Sequence, residues 1–162
     1  MKVIIYVSEL IYKIERIIVG IMLTIILFSL TLGVLFRYIF KNPLSWSDEI
    51  SMFSFVWLTF VGGSMTIKKK LAPTINFFID ELKGNLRIFV ISLSNILILL
   101  FVSFVFYISI IWITSPNIYV QHSGSIGLPM IYSYASIPIS FLFLFIHSLE
   151  LTILGIFSKK EV

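Results

Sequence analysis

The stretch "FRYIFKNPLSWSDEISMFSFVW", residues 36–57, lies between two long apolar runs and gathers two basic residues, two acidic residues and two tryptophans. Pro43 lies near its middle. A proline disfavours helical geometry at the residue before it, so a helix entering this stretch ends there. The stretch therefore predicts a polar turn between two long helices, and it fixes how the rest of the chain is divided.

The composition points to a lipid environment. The 162 residues are 59% hydrophobic and 12% charged, and the mean hydropathy is +1.06. Soluble domains carry about 25% charged residues, so this chain has too few to cover a water-soluble surface. The net charge of +4 is spread over short clusters, which gives no reason to expect a nucleic-acid partner. The absence of cysteine excludes disulfides and thiolate metal sites.

Four segments are long and apolar enough to cross a bilayer, which needs about 20 residues. No Asp, Glu, Lys or Arg occurs between Arg87 and Glu150, but "TSPNIYVQHSGSIGLP" divides this part of the chain with loop-forming residues. The prediction is an all-α integral membrane protein that forms one membrane domain over residues 1–162. Its expected spans are residues 17–36, 50–67, 88–113 and 130–157.

The distribution of basic residues predicts the orientation. Ten of the twelve Lys and Arg residues lie before span one, between spans two and three, or after span four. Only Arg37 and Lys41 lie on the other side. The positive-inside rule therefore places both termini in the cytoplasm. Span one is too long for the apolar core of a signal peptide, so we expect it to remain as an uncleaved anchor.

A short amphipathic helix is expected over residues 74–83, between spans two and three. About ten residues cannot span a membrane, so this helix would lie in the cytoplasmic interface or pack on a partner's cytoplasmic face. Its apolar residues fall on one helical face, at Ile75, Phe78, Ile79 and Leu82. The preceding basic residues would contact lipid headgroups, and these are Lys68, Lys69 and Lys70.

The start of the second span has the pattern of a capping box. Ser45 is the expected N-cap, with Asp48 three residues later and Glu49 in the first turn. Arg37 at the end of span one is expected to pair with Glu49 across the turn, as such a pair gains strength away from bulk water.

Four residues share one face of the second helix: Trp46, Glu49, Phe53 and Trp57. Trp46 suits the membrane–water boundary. Trp57 lies about 16 Å further along, too deep for that boundary, so its indole N–H needs a protein neighbour. Two interpretations stay open for this face: interfacial anchoring alone, or a docking surface for another polypeptide.

These residues resemble the small membrane subunit (Q subunit) of tripartite ATP-independent periplasmic, or TRAP, transporters. The family pattern runs from an aromatic-Arg-Tyr sequence through Asn-x-Pro-Leu-Ser-Trp to an acidic residue, a Trp and a Gly pair. Those places are filled here by Phe36, Arg37, Tyr38, Asn42, Leu44, Ser45, Trp46, Glu49, Trp57, Gly62 and Gly63, with Pro43 directly after Asn42. Four spans and a proline in the fourth, Pro138, extend the resemblance over nearly the whole chain.

The resemblance implies a scaffold subunit in the bacterial inner membrane. Such a subunit braces a large permease subunit, while an extracytoplasmic solute-binding protein delivers a carboxylate solute such as a C4-dicarboxylate, sialic acid or another organic acid. A sodium or proton gradient drives import, with the ion coupled in the large subunit, and this chain needs no cofactor. The sequence departs from the family after the three lysines that follow span two, where Ala72 and Asn76 replace an expected His and Asp. The resemblance therefore implies for this protein no role that depends on the family's His or Asp side chain at these two positions.

His147 and Glu150 are the polar titratable residues of the fourth span. They lie three apart and share a helical face. Two roles are open for them: a structural hydrogen bond, or part of an ion path. A lone His-x-x-Glu pair cannot hold a metal, which needs three or four ligands. Gly62 and Gly63 form a small-residue patch that would allow close helix packing.

Other functional classes are weighed against the scaffold subunit. The chain has no phosphate-binding loop, no Ser/His/Asp set and no paired carboxylates at bundle depth, so an enzyme is not expected. The alternative is a self-contained four-helix multidrug-type exporter. That class needs an acidic residue in its first span, and residues 17–36 contain none. A quinone-binding or intramembrane catalytic protein would need several buried acids or paired histidines.

Overall fold

The computed structural model describes residues 2–69 and 85–157. Within these ranges the protein has four helices that are long and apolar enough to cross a membrane, which confirms the expected number of spans. In chain order the helices are α1 (Lys2–Tyr38), α2 (Ser45–Lys68), α3 (Asn85–Ile113), the short α4 (Pro116–Tyr119) and α5 (Ile131–Tyr134), and α6 (Ser136–Phe157). The fourth membrane-capable segment comprises α5 and most of α6, as Ile131–Gly155.

Helix α1 begins well before Ile17, where the expected span starts. Its 37 residues give a length of about 55 Å, against about 30 Å of hydrocarbon. The charges near the N-terminus mark the end of the apolar run, but they do not end the helix. The N-terminal part of α1 is therefore available to pack along the ends of the other helices.

The turn between α1 and α2 is tight. Lys41 adopts a positive φ of 52°, in the left-handed region that non-glycine residues visit rarely. The N–H of Asn42 donates to the carbonyl of Phe36 at 3.0 Å. Pro43 follows, and α2 starts at Ser45.

The expected capping box at Ser45 is wrong. Leu44 occupies the cap position with extended geometry, and no side chain caps the helix. The hydroxyl of Ser47 instead donates back to the carbonyl of Leu44 at 2.9 Å. Since Ser45 already lies inside the helix, its hydroxyl is not placed to accept from the first free N–H groups.

The helices pack side by side: α1 on α2, α2 on α6, and α6 on α3, with α1 also touching α6. The buried faces are lined mostly by serine. On α2 the buried residues are Ser47, Ser51, Ser54, Val61 and Ser64. Large apolar side chains such as Phe28, Phe55 and Phe101 are exposed on the outside. This inverts the pattern of a soluble protein, because small side chains let membrane helices approach closely while lipid solvates the apolar ones.

Two glycines make close helix contacts, one on α1 and one on α6, where a Cβ at Gly155 would lie 3.1 Å from Asn95 Nδ2 of α3. A Cβ at Gly33 of α1 would lie 2.6 Å from Ser47 Oγ of α2. By contrast, a Cβ at Gly62 or Gly63 would meet nothing within 4 Å. Within the described ranges, the close helix approaches therefore occur at Gly33 and Gly155, and the Gly62–Gly63 pair makes no such contact inside the chain.

The segments 70–84 and 158–162 lie outside the described residues, and so does Met1. The amphipathic helix expected over residues 74–83 and the headgroup contact expected for Lys70 fall there. The cytoplasmic location of the termini also stays a prediction.

Candidate functional site

Two groups of polar contacts lie at opposite ends of α2, about 28 Å apart by helical rise. The loop cluster joins the start of α2 to the segment between α4 and α5; its residues are Glu49, Trp57, Ser125, Ile126 and Tyr132. The His147 cluster joins the end of α2 to α1 and α6; its residues are Ser8, Glu9, Glu15, Lys68, His147 and Glu150.

Glu49 anchors the loop cluster. The backbone N–H of Ser125 donates to Glu49 Oε1, and the N–H of Ile126 donates to Oε2 at 3.1 Å. A carboxylate that accepts two backbone N–H groups makes charge-assisted hydrogen bonds, which are shorter and stronger than bonds between neutral groups. The first turn of α2 thus holds the tip of the segment between α4 and α5.

The expected pairing of Arg37 with Glu49 is wrong. Arg37 Nη2 lies 3.2 Å from Asp48 Oδ2 instead. Both side chains of this pair are more than half exposed, so the pair contributes at most about 1 kcal/mol. Asp48 and Glu49 point in directions about 100° apart around the helix, and only Glu49 faces the loop segment.

Trp57 has the protein neighbour that its depth requires. Its Nε1–H donates to the carbonyl of Tyr132 in α5 at 2.9 Å. This bond confirms the expectation that the indole N–H is satisfied by protein, and it adds a second connection between α2 and the segment before α6.

The loop segment itself is folded. His122 and Pro129 form an isolated antiparallel bridge. The N–H of Ser123 donates to the carbonyl of Leu128 at 2.8 Å. Gly127 turns the chain with a φ of 65°, which glycine adopts at little cost. The segment therefore presents a hairpin-like tip held by Glu49.

Lys68 is the centre of the ion pairs in the His147 cluster. Its ammonium lies 2.6 Å from Glu150 Oε2 and 3.1 Å from Glu9 Oε1. The Lys68 and Glu150 side chains are only 10% and 5% exposed. The contact with lipid headgroups expected for Lys68 stays a prediction, and in the protein this ammonium is already bound by two carboxylates.

His147 and Ser8 continue the cluster into the bundle. Ser8 Oγ lies 2.5 Å from Glu150 Oε2 and 2.6 Å from His147 Nδ1. His147 Nε2 lies 3.0 Å from Glu15 Oε2, and both of these side chains are fully buried. Glu15 Oε1 has no hydrogen-bond partner among the residues that the structure describes. The cluster connects α6 to α1 through two bridges and to α2 through Lys68.

Sequence reasoning missed Ser8, Glu9 and Glu15. They lie before Ile17, where the expected first span starts, and only the basic residues of that flank enter the prediction of orientation. A signal was available, because Ser8, Ile11 and Glu15 follow helical spacing and share one face. Ser8, Ile11 and Glu15 are buried in the structure, whereas Glu9 is exposed.

The remaining predicted residues are more peripheral. Tyr38, Pro43 and Ser45 are exposed, and Trp46 and Phe53 are half-buried. The Lys69 ammonium lies 5.4 Å from the centre of the Tyr12 ring. Docking of these residues on another subunit stays a prediction. In the part of the chain that the structure describes, no three His, Asp or Glu side chains are arranged to hold a metal ion.

The fold defines a multi-pass helical membrane protein whose polar groups bind one another at the two ends of the bundle. The family model described as "Tripartite ATP-independent periplasmic transporters, DctQ component" matches residues 26–157. This match covers most of the chain, so the protein belongs to that family of small TRAP transporter subunits. Such a subunit, with four membrane-capable helices, is a multi-pass protein of the inner membrane.

A curated relative supports the same assignment. The sialic acid TRAP transporter small permease protein SiaQ of Vibrio cholerae serotype O1 is 29% identical over 91 residues. The match covers 56% of this chain and 53% of that protein, so the chain spans about half the length of the relative.

Proposed function

We propose that this protein is the scaffold subunit of a TRAP transporter that imports a carboxylate solute. It braces the large permease subunit, and the permease moves the solute with a sodium or proton gradient. A solute-binding protein delivers the solute to the outer face. Membership of the small-subunit family supports the assignment of partners.

The observation that carries this proposal is where the charged side chains lie. No Lys or Arg occurs in residues 17–36, 50–67 or 88–157, so none is available at mid-membrane depth to bind an anion. The ends of α2 carry the loop cluster and the His147 cluster, whose charged side chains Glu49, Lys68 and Glu150 are bonded within the chain. A chain of this kind stabilises a neighbouring subunit and does not hold an anionic solute itself.

The solute class is inferred from the relative. SiaQ is named for sialic acid, which bears a carboxylate. A C4-dicarboxylate or another organic acid fits the same mechanism. Selection among them belongs to the binding protein and the large subunit, since residues 17–36, 50–67 and 88–157 of this chain contain no Lys or Arg.

The exporter alternative gains one feature from the structure, because Glu15 is a buried acid in α1. Its carboxyl group is bonded to His147 of the same chain. The family assignment also favours a transporter component over a self-contained carrier. The scaffold function is therefore retained.

Reconstitution tests the proposal directly. Liposomes containing this chain alone are expected to show no gradient-driven uptake of sialic acid or a C4-dicarboxylate. Liposomes containing this chain, the large permease and the binding protein are expected to accumulate one of these solutes. Uptake by this chain alone, or full uptake by the large permease without it, would contradict the scaffold function.

A second prediction concerns the loop cluster. Glu49→Ala removes the acceptor for the Ser125 and Ile126 N–H groups, so the tip of the loop segment is no longer fixed to α2. We propose that the binding protein docks on this tip, so the freed tip is expected to raise the binding-protein concentration needed for half-maximal uptake several-fold.

The neighbouring variant Asp48→Ala is the matched control. It removes an acidic residue of the same turn, but only an exposed pair with Arg37 is lost. We expect less than a twofold change in the same measurement. Equal effects of the two variants would show that the Glu49 contacts with the loop do not matter for docking.

A further inference from the structure

A continuous series of polar groups runs from the surface into the bundle where α1, α2 and α6 meet. Glu9 has a side chain that is 53% exposed, and it binds Lys68. The series continues through Glu150, Ser8 and His147 to Glu15, and the last three are fully buried. The scaffold function does not require a buried imidazole or a buried carboxyl group, so this series calls for its own explanation.

The hydroxyl of Ser8 fixes one hydrogen position on His147. Ser8 has a single hydroxyl hydrogen but contacts both Glu150 Oε2 and His147 Nδ1. Glu150 Oε2 also binds the Lys68 ammonium at 2.6 Å, which is the environment of an ionised carboxylate. Ser8 therefore donates to Glu150, and its oxygen accepts from His147. Nδ1 must then carry a hydrogen.

The contact between His147 and Glu15 then requires a second hydrogen. In a neutral imidazole with a hydrogen on Nδ1, Nε2 carries only a lone pair. Nε2 lies 3.0 Å from Glu15 Oε2. If the Glu15 carboxylate were ionised, Nε2 and Oε2 would both be acceptors with no hydrogen between them, which is unfavourable in a buried site. The contact is satisfied only if one more proton lies on Nε2 or on the Glu15 carboxyl group.

The unpartnered oxygen of Glu15 supports the same proton count. Within residues 2–69 and 85–157, Glu15 Oε1 is buried without a hydrogen-bond partner. An isolated buried carboxylate is far more costly than a neutral group or a bonded ion pair. With one proton added, the pair is neutral overall, either as imidazole with a carboxylic acid or as imidazolium with a carboxylate.

We propose that Glu15 and His147 form a proton-binding site that holds one proton in addition to the Nδ1 hydrogen. The groups that face it are Ser8 from α1, Lys68 from α2 and Glu150 from α6. Glu9 reaches the site only through Lys68. The bound proton joins α1 to α6.

Magnetic resonance and infrared spectroscopy on the full-length protein in lipid nanodiscs test the site. The chain has two histidines, so ¹⁵N-histidine labelling gives two sets of ring signals, and His122→Asn removes one set. At neutral pH we expect Nδ1 of His147 to be protonated. We also expect either a protonated Nε2 or the carbonyl band of a protonated glutamic acid in ¹³C-glutamate-labelled protein. The proposal is overturned if the wild-type protein shows a neutral His147 ring and no protonated glutamic acid. This test does not depend on the folding of any variant.

Variants assign the proton to the pair. Glu15→Gln keeps the shape of the side chain, and its amide N–H can donate to Nε2 without an added proton. We therefore expect loss of the Nε2 proton or of the acid band, with Nδ1 still protonated. Glu9→Gln, on the exposed end of the series, should leave both signals unchanged. Persistence of the imidazolium or of the acid band in Glu15→Gln would contradict the assignment to Glu15.

Discussion

Replacing Lys68 by alanine is expected to lower the free energy of unfolding by about 3–5 kcal/mol, because it leaves a buried carboxylate without its counter-ion. Glu150 is only 5% exposed and receives the Lys68 ammonium at 2.6 Å. After the substitution, Ser8 is the only remaining donor to this carboxylate among the hydrogen bonds of the described residues. Denaturant unfolding in mixed micelles, followed by tryptophan fluorescence, measures the change.

The next residue provides the control. Lys69 is also basic and lies at the same end of α2, but its contact is with the face of the Tyr12 ring at 5.4 Å. Lys69→Ala is expected to cost less than about 1 kcal/mol. Equal losses in the two variants would mean that a general loss of positive charge matters and that the buried ion pair does not.

A double variant separates the burial of charge from the packing of the helices. Lys68→Met with Glu150→Met removes both charges and keeps two long side chains. Replacing a buried ion pair by apolar residues of similar size is often neutral or stabilising. We expect the double variant to recover more than half of the stability lost in Lys68→Ala.

The sequence predicted the elements that depend on local composition. Long apolar runs gave the four membrane-capable helices, and the Ser-, Gly- and Pro-rich residues between α3 and α6 gave a loop region. The depth of Trp57 along α2 also showed that its indole needed a protein partner. Each of these inferences uses only neighbours in the chain and the thickness of a bilayer.

Contacts between distant residues were beyond the same reasoning. Lys68 and Glu150 are 82 residues apart, and a count of basic residues treats Lys68 only as a topological marker. The neighbours Asp48 and Glu49 look equivalent in the sequence, yet one binds Arg37 and the other binds the loop segment. The packing of α2 decides which carboxylate faces which partner, and the local pattern does not contain that information.

The same limitation applies to the glycines. The sequence drew attention to the Gly62–Gly63 pair, since paired small residues often mark helix contacts. Gly33 stands alone in "LTLGVLF" and gave no such signal. Whether a glycine is needed depends on what lies opposite, and Ser47 lies opposite Gly33.

Gly33→Val is accordingly expected to destabilise the protein by about 1–3 kcal/mol through overpacking. The added Cβ would lie 2.6 Å from Ser47 Oγ and 3.3 Å from Ser47 Cβ. The Ser47 hydroxyl must then rotate away and lose its hydrogen bond to Leu44, or α1 and α2 must move apart. The effect is measured by unfolding in mixed micelles, as for Lys68. Gly20→Val is the matched control, because it places the same side chain on the same helix with nothing within 4 Å of its Cβ.

The rescue experiment identifies the contact that is responsible. Ser47→Gly removes both atoms that the new Cβ would meet, at the cost of one glycine in a helix, about 1 kcal/mol. If the clash at Ser47 causes the loss, adding Ser47→Gly to Gly33→Val should be less destabilising than adding it to the wild type. Strictly additive effects of the two substitutions would contradict a direct contact, since residues that touch are expected to couple by at least about 0.5 kcal/mol. The close packing of α1 on α2 would then have to arise elsewhere along the two helices.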